Sequence, residues 1–120
     1  MRVGVGLPNT LASTDRDLVL EIARRADRGP FTSLGVFDRI VYDSLDPLGT
    51  LGVCAGATED VRLATSIVAG PIRSTALLAK QAATLDVLSD GRLTLGIALG
   101  ARAEDYEAAG AEFESRGGRF

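Results

Sequence analysis

The chain has 120 residues, enough for one domain with a modest core and short for two, and its 46 % hydrophobic and 24 % charged content is that of an ordinary soluble globular protein. The formal net charge is −3 with Lys and Arg scattered along the chain, which argues against a nucleic-acid partner, and no apolar run approaches the ~20 residues of a membrane span. There is no histidine, which excludes Ser-His-Asp and Cys-His catalysis and any His-ligated metal site, because those chemistries need an imidazole.

Val3 to Leu7 alternates β-branched residues with glycine, as in a buried strand on which something approaches the backbone closely, and Pro8-Asn9 ends it. The Gly4 and Gly6 spacing invites a dinucleotide-binding reading. That fingerprint opens a helix with a third glycine, and Asn9 stands where the pattern would continue. Thr14 followed by Asp17 predicts a helix start, with Leu18, Val19, Ile22, Ala23 and Ala26 on one face and Gly29-Pro30 as the stop. Ser33 to Phe37 is the second predicted strand. Asp38 at its carboxyl end either pairs with Arg39 or caps a loop, or else hydrogen-bonds a ligand at the mouth of the fold.

Asp46-Pro47 marks a second helix start, running to about Ala57. Gly49, Gly52 and Gly56 weaken that helix and predict close packing against neighbours, and Cys54 reads as a small buried hydrophobe. Val61 to Ile67 is the third strand. Arg73 ahead of the third helix either meets an anion or is solvated. The helix from about Ser74 to Leu88 places Leu77, Leu78, Ala82, Leu85 and Leu88 on one face, and Ser89-Asp90-Gly91 turns the chain. Leu93 to Leu99 alternates bulky with small residues as a fourth strand, and Glu104 to Ala109 makes a short helix before Gly110.

Strand starts near residues 3, 33, 61 and 93 with single helices between them predict a parallel α/β sheet. Two architectures follow, an open doubly wound sheet or part of a (β/α)8 barrel. A complete barrel takes ~250 residues, so the second is a half-barrel of about four strands and three complete helices over residues 1–120.

Several stretches resemble a known family: Gly4 to Asn9, Ala26 to Arg39, Gly56 to Ile67 and, most specifically, LLAKQAATLDVLSDGRLTLGIALG from Leu77 to Gly100. Together they resemble the N-terminal half of the luciferase-like monooxygenase superfamily of flavin and deazaflavin oxidoreductases. The resemblance implies the first half of a TIM (β/α)8 barrel that binds reduced FMN or coenzyme F420 at the carboxyl ends of its strands. By position it puts Asp38 beside the flavin, and Thr65, Ser66 and Ile67 at the end of strand three, where several members carry a bulge and a non-proline cis peptide, here at Ser66-Ile67. Gly100 would leave room beside the cofactor. Where deazaflavin sugar-phosphate dehydrogenases of the superfamily use histidine and glutamate, this chain has Arg39 and Ala101, which sets that activity aside.

The resemblance implies an oxidoreductase or monooxygenase acting on a small organic substrate, with reduced FMN and dioxygen or by hydride transfer with a deazaflavin. The competing expectation is a truncated, non-catalytic half-barrel that binds cofactor weakly or pairs with another chain, including a second copy of itself. No general acid or base is singled out; Asp38, Glu104 and Asp105 are the carboxylates near strand ends. The single Cys54 and the absence of a signal-peptide pattern predict a cytoplasmic location.

Overall fold

In the computed structural model, which describes residues 1–120, the strands are β1 (Gly4–Gly6), β2 (Ser33–Val36), β3 (Arg62–Thr65), β4 (Val68–Ala69), β5 (Leu93–Thr94) and β6 (Ile97–Ala98). The helices are α1 (Arg16–Arg28), α2 (Pro47–Ala55), α3 (Thr75–Leu88) and α4 (Ala103–Ala108). β1, β2, β3 and β5 form a parallel sheet in that order, and β4 pairs with β6 in a second, two-stranded parallel ladder. Each strand is therefore added beside its predecessor in one direction. A doubly wound sheet reverses direction at a switch point, and this one does not, so the open doubly wound alternative gives way to a half-barrel.

The two faces of the sheet differ in residue type. Val5, Leu34, Leu63 and Leu93 lie in register across it and pack under the helices, where Leu34 and Leu63 are fully buried. The alternate row, Gly6, Gly35, Ala64 and Thr94, faces away from that core and is open. Strand alternation puts bulk on one side and small residues on the other. In a closed (β/α)8 barrel the helices form the outer ring, so the face turned away from them is the inner one.

α1 begins one residue later than the pattern implies. Asp15, not Thr14, is the cap, its Oδ1 accepting from the Leu18 N–H at 2.8 Å, while the Thr14 hydroxyl donates to the Pro8 carbonyl at 2.5 Å. Thr14 thus closes the loop after β1. α2 starts as its sequence predicts, with Asp46 Oδ1 accepting from the Gly49 N–H at 2.7 Å and Pro47 in the first turn. Its glycines do not pack as expected: Gly49, Gly52 and Gly56 are exposed, and a side chain at Gly52 would meet nothing within 4 Å. Burial of Leu48, Leu51, Cys54 and Ala55 holds the helix instead. Burial also pushes the Cys54 thiol up to about 11, leaving it protonated and inert.

α3 also departs from its predicted face. Leu78, Ala82 and Leu85 are buried, but Leu77 is 64 % and Leu88 74 % exposed. The helix is apolar nearly all round, so its periodicity does not choose one face. No helix is long and apolar enough to cross a membrane.

At the amino-terminal edge of the sheet, Asp27 near the end of α1 accepts from the N–H groups of Glu59, Asp60 and Val61 at 2.8–2.9 Å. Burial raises its pKa, but those three donors and Arg92 outweigh it and hold the carboxyl below its usual range. A carboxylate with a lowered folded-state pKa stabilises the fold above its unfolded pKa and loses that contribution as pH falls through the folded value. Asp27→Asn is accordingly expected to destabilise the chain by about 1–2 kcal/mol at pH 7. The gap from wild type should narrow in melts at acid pH; a gap independent of pH would contradict this role.

Candidate functional site

The carboxyl ends of the strands are shaped by two interruptions. β3 stops at Thr65, resuming as β4 only at Val68, and the predicted fourth strand is split between Thr94 and Ile97. Thr65 explains why the two breaks face each other. Its hydroxyl accepts from the Gly96 N–H and donates to the Gly96 carbonyl, both at 2.8 Å, taking the place of ladder bonds. A side chain at position 96 would put its Cβ 2.4 Å from the Thr65 carbonyl oxygen, so only glycine fits that approach. Between the breaks the Ser66 N–H donates to the Val36 carbonyl at 2.7 Å, and the Ser66–Ile67 peptide is cis.

Asp38 follows β2 and is almost wholly enclosed, its side chain 1 % exposed. Its Oδ2 accepts from the Ala69 N–H at 3.0 Å and from Arg73 Nε at 3.2 Å, and its Oδ1 accepts from Arg73 Nη2 at 2.7 Å. Arg73 reaches Asp46 Oδ2 as well, at 3.3 Å. The fork of the guanidinium matches the carboxylate in the bidentate arrangement that favours arginine over lysine. Burial opposes the charge on Arg73, but the hydrogen bonds and charges of Asp38 and Asp46 outweigh it and raise its pKa further. Arg73 is thus neither a free anion receptor nor solvated; it locks the ends of β2 and β4 to the start of α2. Arg39 donates only to the main-chain carbonyl of Asp38, at 2.9 Å, so it is not the carboxylate's partner.

The remaining predicted residues separate by face. Ser66 and Ile67 are exposed, whereas Thr65 is 4 % exposed with its hydroxyl engaged by Gly96. Gly100 has φ +76° in the turn after β6, and a Cβ there would sit 3.1 Å from that of Ala69. Its local packing requires glycine irrespective of any ligand. Of the strand-end carboxylates, Asp105 is buried and accepts from the Ile40 and Val41 N–H groups at 2.9 and 3.1 Å, and Glu104 is exposed.

Two residues shape the mouth without having stood out in the sequence. Asn9, fully buried, donates from Nδ2 to the carbonyls of Phe37 and Leu45 at 2.7 and 3.1 Å, and its Oδ1 accepts from the Phe37 N–H at 3.1 Å. It does for the ends of β1 and β2 what Thr65 does for the next pair. Tyr106 is 1 % exposed and donates its hydroxyl proton to the Leu99 carbonyl, tying α4 under the turn at Gly100. For Asn9 the available signal was its place at the end of the first predicted strand; Tyr106 lies within a short helix and gave none.

On the open face these elements frame a concavity of about 330 Å³ lined by Gly4, Val5, Gly6, Ser33, Gly35, Phe37, Ala64 and Ser66. Its floor is small and apolar, Phe37 supplies an aromatic ring, and Ser33 and Ser66 the hydroxyls. No lining side chain titrates near neutrality, so this surface can seat and orient a flat ring but brings no proton-transfer group of its own.

Comparison with known proteins fits this architecture. The model of the luciferase-like monooxygenase family matches residues 1–120. The oxygenase component of the flavin-dependent trigonelline monooxygenase of Acinetobacter baylyi is 33 % identical over 94 residues, which is 76 % of this chain and 26 % of that protein. The crystal structure of monooxygenase RslO1 from Streptomyces bottropensis superposes with a TM-score of 0.89 at 25 % identity, covering 100 % of this chain and 40 % of that one. The coenzyme F420-dependent tetrahydromethanopterin reductase of Methanopyrus kandleri shares the fold with a TM-score of 0.76 at 23 % identity, covering 93 % of this chain and 30 % of that one. The chain therefore spans about a quarter of the curated relative's length and less than half of either solved structure.

Proposed function

The chain belongs to the luciferase-like monooxygenase family, and from that premise we propose that it forms the cofactor-seating half of a flavin- or deazaflavin-dependent oxidoreductase acting on a small organic substrate. The observation that carries the reading is the concavity on the open face of the sheet, which runs from Gly4 and Ser33 at the strand starts to Phe37 and Ser66 beyond the carboxyl ends, over a flat glycine and alanine floor. An isoalloxazine or deazaflavin ring is flat and largely apolar with polar edges, and those residues fit it. A bulky side chain at Gly6, Gly35 or Ala64 would fill the space the ring needs.

In this reading Ser66 and Ile67 lie against the ring and Gly100 keeps the turn beside it narrow. Thr65 and Asp38 act one step away: Thr65 fixes the chain path into Ser66, and Asp38 with Arg73 fixes the strand ends around it. Bound there, reduced FMN would supply dioxygen activation, and the deazaflavin would supply hydride. The relatives divide the same way, one being flavin-dependent by name and another F420-dependent. The protein's own contribution is to seat the ring, shield one of its faces and position the substrate over the other.

A second reading has an observation of its own. The sheet ends in the open edges β1 and β5, and α3 exposes Val87 and Leu88 at 78 % and 74 %, as expected of a half-barrel that packs with another chain. Fluorescence titration of the purified chain with FMN and with F420 separates the two. Saturable quenching with one of them is expected. Binding of neither would overturn the cofactor-seating role for this chain and leave the pairing reading.

A further inference from the structure

Arginines in this fold differ in how completely their donors are used. Arg92 donates to five acceptors at 2.7–3.0 Å, and Arg73 makes three contacts to Asp38 and Asp46. Arg102, in the turn between β6 and α4, does neither. Its Nε is buried with no partner, and its Nη2 has a single long contact of 3.4 Å to Glu104, whose side chain is 60 % exposed. What holds the guanidinium is a stacking contact, its Cζ 4.9 Å from the centroid of the Tyr42 ring.

That contact is built from both sides. Asp105 accepts from the N–H groups of Ile40 and Val41, pinning the loop after β2 to α4 and bringing the next residue, Tyr42, to Arg102. Of the neighbouring acids, Asp105 is engaged by those two N–H groups, and Glu104 offers only its long, mostly exposed contact. An arginine side chain one-third exposed, oriented by an aromatic ring and short of acceptors, is thus presented at the carboxyl end of the sheet. Its planar fork is complementary to a carboxylate or phosphate.

We propose that Arg102 stacked on Tyr42 is an oxyanion-binding element, taking the carboxylate or phosphate of a small molecule bound at the strand ends. The proposal rests on the reading above that small ligands bind there. It makes Arg102 a specificity-determining residue that favours anionic over neutral ligands.

The test compares pairs of probes that differ by one anionic group, on the wild-type chain and on Arg102→Gln. FMN and riboflavin, which share a ring and differ by the phosphate, are followed by flavin fluorescence; benzoate and the neutral benzamide by ligand-observed NMR. The wild type is expected to prefer the anionic member of at least one pair by about tenfold. Arg102→Gln should abolish that preference, and Arg102→Lys, which keeps the charge without the fork, should restore part of it. Loss of the FMN preference alone assigns the phosphate as the source of the anion; loss of the benzoate preference alone assigns a substrate carboxylate. If neither flavin binds yet benzoate is preferred through Arg102, the flavin reading fails and the anion site stands. No preference in the wild type for either pair, or one that survives in Arg102→Gln, overturns the proposal.

Discussion

Asp38→Ala is expected to cost ~3–5 kcal/mol of folding stability, the largest effect of any single substitution at the mouth. The loss comes from what is left behind: an Arg73 guanidinium only 17 % exposed without its main counter-charge, and an Ala69 N–H without an acceptor. Asp46 stays within 3.3 Å of Arg73 but is itself 53 % exposed, and it replaces only part of the lost charge. Set against the 5–15 kcal/mol typical of a domain, a loss of this size brings the chain close to its folding threshold. Adding Arg73→Met should recover a good share, because a removed pair is cheaper than a broken one. Urea denaturation of the three variants measures this. A loss below about 1 kcal/mol for Asp38→Ala would show the pair to be dispensable.

Arg92→Met carries the second large effect, expected at about 3 kcal/mol or more. Arg92 donates to the carbonyls of Ala55, Thr58, Val61 and Ser89 and to the Thr58 hydroxyl, all at 2.7–3.0 Å. It thus clamps the end of α2, the entry to β3 and the turn into β5 at the edge of the sheet opposite the mouth. Methionine fills similar volume but leaves those carbonyls without a donor. Arg92→Lys should rescue little, since one ammonium cannot span four carbonyls held in fixed directions. Equal stability of Arg92→Lys and wild type in thermal melts would show that charge rather than the fork matters. Both large effects concern the scaffold on either side of the proposed site, which is how a barrel keeps a site of small residues open.

The parallel array was readable because single helices separate strand-like runs at a near-constant interval, and because Asp46-Pro47 and the Gly91 turn punctuate it. The family resemblance located the cis peptide at Ser66–Ile67, where the strand breaks and composition alone would have read it as continuous. Other features depend on contacts that local pattern does not carry. Asp38 and Arg73 lie 35 residues apart and meet only once two strand ends are adjacent, so Arg39 looked the nearer partner. Thr65 and Ser66 read as two similar small polar residues, yet strand alternation sends one hydroxyl to Gly96 and the other to the open face. Leu77 and Leu88 looked like core because apolar residues spread over most of α3, and the choice of its buried stripe rests on the sheet beneath it. Arg102 gave no signal at all, since its shortage of partners is a property of the folded loop.

The small-residue face of the sheet is the proposed seat of the cofactor ring. Amide chemical-shift mapping of the labelled chain during titration with FMN or F420 tests it most directly. Saturable shifts are expected at Gly6, Gly35, Phe37, Ala64 and Ser66, with the outer surfaces of α1 and α3 unchanged. Shifts confined to the helical surface, or none from either cofactor, would contradict it.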